Sequence, residues 1–245
     1  MKKNKKYGLI GKGIDYSFSK TYFTNKFKAK KLNCEYLNFD LTNLHLIKSI
    51  LEHRDIFGLN VTIPFKEGII DFLDEVDEIA KNIGAVNTIK KIGNKNIGFN
   101  TDCIGFEKSF LSLVGNKKPE NVLILGSGGA SKAVKYVLKK LNINYSTVSR
   151  YEGKYEFIYE NLNDVILNKF KMIINCSPVG TFPNINNCPN IPYKFLTKDH
   201  VLFDLVYNPI ESLFLKKGKR LGCKTQNGLE MLEIQAEESW RIWND

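Results

Sequence analysis

The stretch that most constrains the fold is residues 121–150, NVLILGSGGASKAVKYVLKKLNINYSTVSR. An apolar run at 121–125 predicts a buried strand, and apolar residues at helical spacing follow in 130–141. A second strand is predicted at 145–149. A strand, a glycine turn, a helix and a strand within about 30 residues form the context that a dinucleotide fingerprint requires. The sequence therefore predicts an α/β protein with a Rossmann-type, doubly wound nucleotide-binding unit.

The glycine turn at 126–130 supplies the predicted phosphate contacts. Gly126 permits a tight turn, Gly128 lets the backbone approach a pyrophosphate, and the first N–H groups of the helix face that anion. Ser131 stands where G-x-G-x-x-G has its third glycine, and a small residue there still allows close packing of helix on strand. An ordinary strand–helix turn that binds no nucleotide is the alternative for the glycines alone.

The residues after the second strand indicate the cofactor. NAD-binding units usually carry Asp or Glu there, to hold the ribose 2′-hydroxyl. This chain has Ser149 and Arg150, followed by Lys154. The permanently charged, planar guanidinium of Arg150 suits a 2′-phosphate, so NADP is predicted over NAD. A solvated surface arginine is the alternative, and Glu152 adds an unfavourable negative charge nearby.

Composition sets the broad class. A chain of 245 residues can form one large domain or two small ones, and 43% hydrophobic with 25% charged residues is ordinary for a soluble globular protein. No apolar run reaches the roughly 18 residues of a membrane span. The basic segment 1–6 precedes an apolar stretch too short for a signal peptide, so a cytoplasmic location is predicted. Five scattered cysteines without a C-x-x-C pair predict reduced thiols rather than a disulfide or a metal site.

The net charge of +10 raises the possibility of a nucleic-acid-binding protein. Such a protein concentrates its basic residues in a patch with interleaved aromatic residues, whereas here lysines occur in nearly every segment. We therefore expect neither nucleic acid nor membrane as a partner. A basic field also favours the capture of small anionic substrates.

The remaining chain alternates predicted strands and helices. A helix is predicted at 41–51, a strand at 59–63, and a further helix from Phe65 to about Leu73, directly after Pro64. A hairpin is predicted around 93–95. The final segment, 229–243, is predicted to form an amphipathic helix with Leu229, Leu232, Ala236 and Trp240 on one stripe.

Polar residues in four further stretches lie just after predicted strands or at helix starts, where ligands approach open α/β sheets. Together with the glycine turn, these stretches resemble the shikimate dehydrogenase family from Tyr7 to Trp243. Six motifs carry the resemblance, in this order: NVTIPFK (60–66), GAVNT (84–88), NTD (100–102), LGSGGAS (125–131), DLVYNPIESLF (204–214) and NGLEMLEIQAEESW (227–240).

The resemblance implies a reaction and an architecture. The reaction is the reversible, NADPH-dependent reduction of 3-dehydroshikimate to shikimate, in chorismate and aromatic amino-acid biosynthesis. The architecture is an N-terminal substrate domain and a Rossmann-type NADP domain, with the active site in the cleft between them. It predicts a substrate-binding catalytic domain at 1–103 and 228–245 and an NADP-binding domain at 104–227, in a monomer or homodimer.

The resemblance implies that Lys66 and Asp102 form the catalytic pair. Hydride delivery to a ketone builds negative charge on oxygen, so a positioned proton donor lowers the barrier. A lysine ammonium can donate that proton and stabilise the charge, and a nearby carboxylate can orient it. Without the resemblance, Lys66 would be taken as a solvated helix lysine and Asp102 as a helix N-cap.

Binding roles also follow from the resemblance, position by position. The side chains that match substrate-binding positions are Ser17, Ser19, Thr62, Asn87, Tyr207 and Gln235. Those that match the cofactor site are Gly126, Ser127, Gly128, Gly129, Ala130, Ser149, Arg150 and Gly228. On the residues alone, Ser17 and Ser19 could equally be helix N-caps.

Five positions depart from the family pattern and indicate a divergent branch: Tyr16, Lys20, Cys103, Tyr151 and Thr181. A related dehydrogenase that accepts quinate, or that has a relaxed cofactor preference, is the main alternative. It would keep Lys66 and Asp102 but should prefer an acidic residue at the position of Arg150.

Overall fold

The computed structural model describes residues 4–15, 17–153 and 155–245. Tyr16, Lys154 and the first three residues of the basic segment 1–6 lie outside the described residues. The chain divides into two compact units. Unit 1 comprises the residues up to Thr101 together with Gln235–Asp245, and unit 2 comprises Asp102–Ile234. The predicted domain limits concern which residues bind substrate and which bind cofactor, and they stay a prediction.

Unit 1 contains a mixed six-stranded sheet with the strand order β2-β1-β3-β5-β6-β4. The first three of these strands are parallel, whereas β5 runs antiparallel to both of its neighbours. The strands in chain order are β1 (Lys5–Gly11), β2 (Cys34–Asp40), β3 (Ile56–Val61), β4 (Glu75–Val76), β5 (Thr88–Ile92) and β6 (Lys95–Phe99). The predicted hairpin is β5–β6, with its turn at Gly93 and Asn94.

The helices that begin in unit 1 are α1 (Phe18–Ala29), α2 (Ile47–Glu52) and α3 (Glu78–Ile83). Asp77 caps α3 by accepting the amide of Ala80 at 2.9 Å, and Gly84 ends the helix with φ at +69°. Both features follow directly from the sequence, because Asp stabilises helix N-termini and glycine adopts the left-handed conformation that ends them.

Two helix predictions in unit 1 are wrong in extent or type. The helix predicted at 41–51 consists of a 3-10 turn at Leu44–Leu46 followed by α2, because the amide of Leu41 bonds to the carbonyl of Gly11 at 2.8 Å instead of joining a helix. The helix predicted from Phe65 is a turn at residues 66–67, followed by a 3-10 helix at Gly68–Phe72. The carbonyl of Lys66 accepts the amide of Val86 at 2.7 Å, and this bond takes the place of an α-helical bond from Ile70.

Unit 2 contains a parallel six-stranded sheet with the order β12-β11-β10-β7-β8-β9. If β7 is numbered as strand 1, the order from β9 across the sheet to β12 is 3-2-1-4-5-6. This is the strand order of a doubly wound nucleotide-binding fold. The predicted fold class is therefore confirmed. The strands are β7 (Asn121–Leu125), β8 (Asn144–Ser149), β9 (Phe157–Ile158), β10 (Met172–Asn175), β11 (Val201–Asp204) and β12 (Lys224–Gln226).

The helices of unit 2 pack on an almost fully buried sheet. Leu123, Leu125 and Ile173 from its central strands are inaccessible to solvent, as continuous apolar runs in parallel strands predict. His200 is also buried, and its Nε2 and Nδ1 bond to the carbonyl of Leu167 and to Thr197. The helices are α4 (Asp102–Val114), α5 (Gly129–Lys140), α6 (Asp164–Lys169) and α7 (Leu213–Arg220).

The last helix, α8 (Leu229–Asn244), runs from unit 2 into unit 1. Its predicted stripe is only partly right, since Ala236 is buried whereas Leu229, Leu232 and Trp240 are half-buried. The buried residues of α8 include two polar side chains that a hydrophobic pattern cannot identify, Gln235 and Ser239, beside Met231, Ala236 and Trp243.

Trp243 of α8 anchors the aromatic core of unit 1. Its ring stacks on Tyr7 with the centroids 4.9 Å apart, and its Nε1 donates to the carbonyl of Ile89 at 3.0 Å. A Cβ atom at Gly58 would lie 2.6 Å from Cε2 of this indole, so only glycine lets β3 approach so closely. Across the described residues, no helix combines the length and the apolar character needed to cross a membrane.

Candidate active site

Lys66 and Thr62 lie in the segment that follows β3. The amide of Thr62 donates to the carbonyl of Ile10 at 2.8 Å, so this segment starts beside the end of β1. Lys66 is half-buried, and its carbonyl is fixed by the amide of Val86. These backbone bonds bring the NVTIPFK and GAVNT motifs together, although they are far apart in the sequence.

Asn87 joins the GAVNT and NTD motifs. Its Oδ1 accepts the backbone amide of Thr101 at 2.7 Å, and its Nδ2 donates to the Thr101 hydroxyl at 3.0 Å. A backbone amide can only donate, so this contact determines which way the Asn87 side-chain amide points. Asp102 follows Thr101 directly and is the first residue of α4, with 5% of its surface exposed. A carboxylate is stabilised at that end of a helix.

Gln235 brings α8 to the same group of side chains. Its Oε1 lies 3.3 Å from both Asn87 Nδ2 and the Thr101 hydroxyl. One turn later on α8, the Ser239 hydroxyl contacts Asn60 Nδ2 at 2.9 Å. The predicted substrate side chains Asn87 and Gln235 are therefore parts of one buried hydrogen-bond network.

Ser17 and Ser19 lie at the start of α1. Ser17 occupies the N-cap position, yet within the described part of the chain its hydroxyl makes no capping bond. Ser19 is buried and hydrogen-bonds to Tyr36, whose hydroxyl donates to Asn60 Oδ1 at 2.8 Å. Burial raises the pKa of Tyr36 well above its ordinary value. Neither serine acts as a helix cap, and Ser19 reaches the same network through Tyr36.

The sequence motifs do not identify the residues that connect this network. Tyr36, Thr88, Thr101 and Ser239 were not singled out, although each is buried and hydrogen-bonded. One signal could have identified Ser239, because it lies four residues after Gln235 and therefore on the same helix face. No comparable pattern identifies Tyr36 or Thr88, because their partners come from other strands.

In unit 2, the glycine turn lies at the point where the strand order reverses, between β7 and β10. Open α/β sheets bind ligands at that point, outside the carboxyl ends of the strands. Gly126 has φ at +103°, and a Cβ there would lie 3.2 Å from the backbone of Ser177. A non-glycine residue would therefore be both strained and crowded at this position.

Gly128 is at the N-cap position of α5, and apart from its two chain neighbours no described residue has an atom within 4 Å of where its Cβ would be. The glycine therefore leaves a cradle that a side chain would fill, and this fits a pyrophosphate held by the first N–H groups of α5. Ser131 is inaccessible to solvent, and its hydroxyl donates to the carbonyl of Gly128 at 2.7 Å. This bond accounts for a serine in place of the third glycine.

Ser149 and Arg150 come directly after β8. The Ser149 hydroxyl both donates to the carbonyl of Tyr151 and accepts its amide, each at 3.1 Å, so it shapes the turn. Arg150 is exposed, with its Cζ 5.7 Å from the ring centre of Tyr151. The ring of Tyr151 thus packs against the guanidinium of Arg150.

Gly228 and Tyr207 lie beyond the ends of β12 and β11. A Cβ at Gly228 would lie 2.7 Å from the carbonyl carbon of Leu205, and its amide donates to the carbonyl of Val206 at 3.1 Å. Tyr207 is half-buried.

A buried carboxylate, Asp204, forms hydrogen bonds at the carboxyl ends of β10 and β11. It accepts hydrogen bonds from Asn175 Nδ2 at 2.9 Å, from the amide of Val206 at 3.0 Å and from the Ser212 hydroxyl at 2.5 Å. Burial raises its pKa to about 6, and these three hydrogen bonds oppose the shift. The carboxylate therefore links the ends of β10 and β11 to the start of α7.

Comparison with known proteins gives consistent results. Residues 9–89 match the family model described as shikimate dehydrogenase substrate binding domain. A shikimate dehydrogenase (NADP(+)) of Methanococcus maripaludis is 42% identical over 98% of this chain and 91% of its own length.

Two solved structures agree. The shikimate dehydrogenase of Aquifex aeolicus has a TM-score of 0.89 and 35% identity, over 100% of this chain and 94% of that chain. The enzyme from Thermus thermophilus in complex with NADP(H) and shikimate has a TM-score of 0.86 and 27% identity, over 98% and 93% of the two chains. Because the sequence identity to the Methanococcus maripaludis enzyme is 42% over nearly the whole chain, this chain belongs to the shikimate dehydrogenase family.

Proposed function

We propose that this protein catalyses the reversible reduction of 3-dehydroshikimate by NADPH and a proton, which gives shikimate and NADP⁺. The observation that carries the proposal is the 42% identity, over nearly the whole chain, to an enzyme named shikimate dehydrogenase (NADP(+)). The six ordered motifs and the doubly wound sheet of unit 2 support it. The reaction places the enzyme in the biosynthesis of chorismate and aromatic amino acids, and we propose that it acts in the cytoplasm.

The residues of unit 2 fit an NADP cofactor. The turn at 126–130 and the N-terminus of α5 would hold its pyrophosphate, and Arg150 its 2′-phosphate. Ser149 supports this site by shaping the turn that presents Arg150, and Gly228 would border the nicotinamide. When bound, NADPH supplies the hydride that reduces the ketone carbon.

Lys66 is proposed as the proton donor. As the ketone carbon is reduced, its oxygen gains negative charge, and the ammonium group stabilises that charge and transfers a proton to the oxygen. Asp102 is proposed to orient the ammonium and to accept a hydrogen bond from a substrate hydroxyl. In the reverse direction, the neutral lysine removes the proton from the shikimate hydroxyl.

The substrate is proposed to bind through neutral side chains. Hydroxyl and amide groups suit a polyol carboxylate, since each can donate or accept a hydrogen bond. The proposed set is Ser17, Ser19, Thr62, Asn87, Tyr207 and Gln235. Fixed orientation of the buried members of this set reduces the entropy lost when substrate binds.

The test is the absorbance of reduced nicotinamide when purified protein is mixed with shikimate and NADP at alkaline pH. We expect NADPH to form, and formation of none would contradict the proposal. Replacing shikimate with quinate, and NADP with NAD, separates the proposed enzyme from a quinate-accepting relative. Comparable turnover of quinate with NAD would favour that alternative.

A further inference from the structure

Ser239 is the junction of the buried network in unit 1. Its side chain is inaccessible to solvent, and its hydroxyl contacts four partners from different parts of the unit. These are Asn60 Nδ2 at 2.9 Å, the Thr88 hydroxyl at 2.8 Å, the Thr101 hydroxyl at 3.2 Å and the carbonyl of Gln235 at 2.9 Å.

Hydrogen-bond capacity gives these contacts a direction. A hydroxyl has one proton and two lone pairs, and Ser239 uses its proton on the carbonyl of Gln235. It therefore accepts from its other close partners, Asn60 Nδ2 and the Thr88 hydroxyl. Thr88 is then a donor to Ser239 and cannot also donate to the Oδ1 of Asn87, 3.2 Å away.

This direction extends to the proposed substrate amides. With Thr88 pointing to Ser239, Asn87 Oδ1 receives its shortest bond from the amide of Thr101, at 2.7 Å. The Nδ2 group of Asn87 donates towards Thr101 and Gln235. The amide of Thr101 sets the direction of the Asn87 side chain, and the bond from Thr88 to Ser239 keeps a competing hydroxyl proton away from Asn87 Oδ1.

We propose that Ser239 is a positioning residue that holds the side-chain amides of Asn87 and Gln235 in the orientation that binds shikimate. The inference rests on the proposed function and adds a role that acts through other residues. An apolar residue on this helix face would remove the acceptor that Asn60 and Thr88 share. Thr88 would then donate to Asn87 Oδ1, 3.2 Å away, and Asn60 Nδ2 would keep only contacts of 3.3 Å, so the network around the Asn87 amide would rearrange.

Ser239→Ala tests the proposal by steady-state kinetics. The KM for shikimate should rise by about three- to tenfold, the factor that the net worth of one hydrogen bond gives. The kcat and the KM for NADP should change little, because orientation of a binding group acts on ground and transition states alike.

Ser109→Ala is the matched control. Ser109 is equally inaccessible, and its hydroxyl bonds to Gln226 Nε2 at 2.7 Å and to Glu230 at 3.0 Å, within unit 2. Both changes remove one buried hydroxyl, so both should lower the melting temperature. Only Ser239→Ala should raise the KM for shikimate.

A second variant, Thr88→Val, removes the neighbouring hydroxyl but keeps the shape of the side chain, and it decides the question if Ser239→Ala does not fold. Equal KM values for shikimate in wild type and folded Ser239→Ala, or in Thr88→Val, would overturn the inference. An equal rise in Ser109→Ala would also overturn it. A wild-type protein that forms no NADPH from shikimate would instead overturn the proposed function.

Discussion

Unit 1 buries a network of hydroxyls and neutral amides, whereas unit 2 buries a carboxylate, Asp204, with hydroxyl and amide donors around it. The first network includes side chains proposed to touch substrate, such as Asn87 and Gln235. The second holds backbone at the ends of β10 and β11 and includes no group proposed to touch a ligand. The two networks therefore use buried polarity for different purposes.

The physical difference lies in charge. Neutral hydrogen bonds are nearly independent of pH, and each contributes about 0.5–1.5 kcal/mol. A buried carboxylate loses its hydration, and the higher pKa of Asp204 expresses that loss. We expect changes in the neutral network to appear in substrate affinity, and changes at Asp204 to appear in the pH dependence of stability.

The largest expected effect is in unit 1, at the proposed proton donor. Lys66→Ala should lower kcat by about 10²–10⁴, the usual worth of a general acid–base residue, with a smaller change in KM. Asp102→Asn should have a similar effect, since an amide fills the space without the orienting charge. Kinetics with shikimate and NADP measure both.

The control for this prediction is Lys81→Ala, which removes an exposed lysine of α3 in the same unit. Its kcat should be that of the wild type. A near-normal kcat in Lys66→Ala, in protein that circular dichroism shows to be folded, would make Lys66 an ordinary solvated lysine.

The next prediction concerns unit 2 and pH. The folded pKa of Asp204, about 6, is above its ordinary value of 3.8, so its stabilising contribution is present at low pH and is lost as pH rises through 6. Asp204→Asn should remove this loss, which amounts to at most about 3 kcal/mol between about pH 4 and pH 7. Urea unfolding at the two pH values measures it.

His200 makes the comparison with wild type necessary. Burial lowers its pKa, so its contribution to stability is lost as pH falls, opposite in sign to that of Asp204. The difference in unfolding free energy between wild type and Asp204→Asn isolates the contribution of the Asp204 carboxylate, because His200 is the same in both proteins. Asp164→Asn, which removes an exposed carboxylate of α6, is the control. If the stability of Asp204→Asn depended on pH as that of the wild type does, the proposed contrast between the neutral network and Asp204 would be wrong.

The third prediction separates cofactor from substrate binding. Arg150→Ala should weaken NADP binding by about 1.5–3 kcal/mol, the scale of a charge-assisted hydrogen bond, and leave NAD almost unchanged. The KM for shikimate should not change. Lys139→Ala, which removes an exposed charge from the last turn of α5, controls for net charge. Equal losses for both cofactors would show that Arg150 serves the fold.

The smallest expected effect is that of Ser17→Ala, in unit 1. Its KM for shikimate should rise by about two- to tenfold at nearly constant kcat, because one neutral hydrogen bond is lost in ground and transition states alike. Ser49→Ala, at an exposed serine of α2, is the control. A fall in kcat with unchanged KM would contradict a purely binding role.

Much of the fold could be predicted because its signals are local. The run at 121–125, the glycines after it and the helical spacing of 130–141 lie within one supersecondary unit, and β7, α5 and β8 match them closely. The type of helix after Pro64 could not be predicted, because it depends on the bond between Lys66 and Val86, which are distant in sequence.

The candidate site was predictable only where a motif carries it. The family resemblance selects Lys66, Asn87 and Gln235, and these roles stay predictions that kinetics must test. It gives no reason to select Tyr36 or Ser239, because a buried polar side chain differs from an exposed one only through its partners. The apolar stripe predicted for α8 is only partly right for the same reason, because the polar residues Gln235 and Ser239 are among the buried residues of this helix.

The division of unit 1 into two chain segments also has a consequence for synthesis. Residues 235–245 leave the ribosome only after the whole of unit 2, so Trp243 cannot stack on Tyr7 while residues 102–234 are being made. Domains that are continuous in sequence can fold as they emerge. Unit 2 can therefore complete its sheet first, and the N-terminal unit, although translated earlier, acquires its aromatic core last.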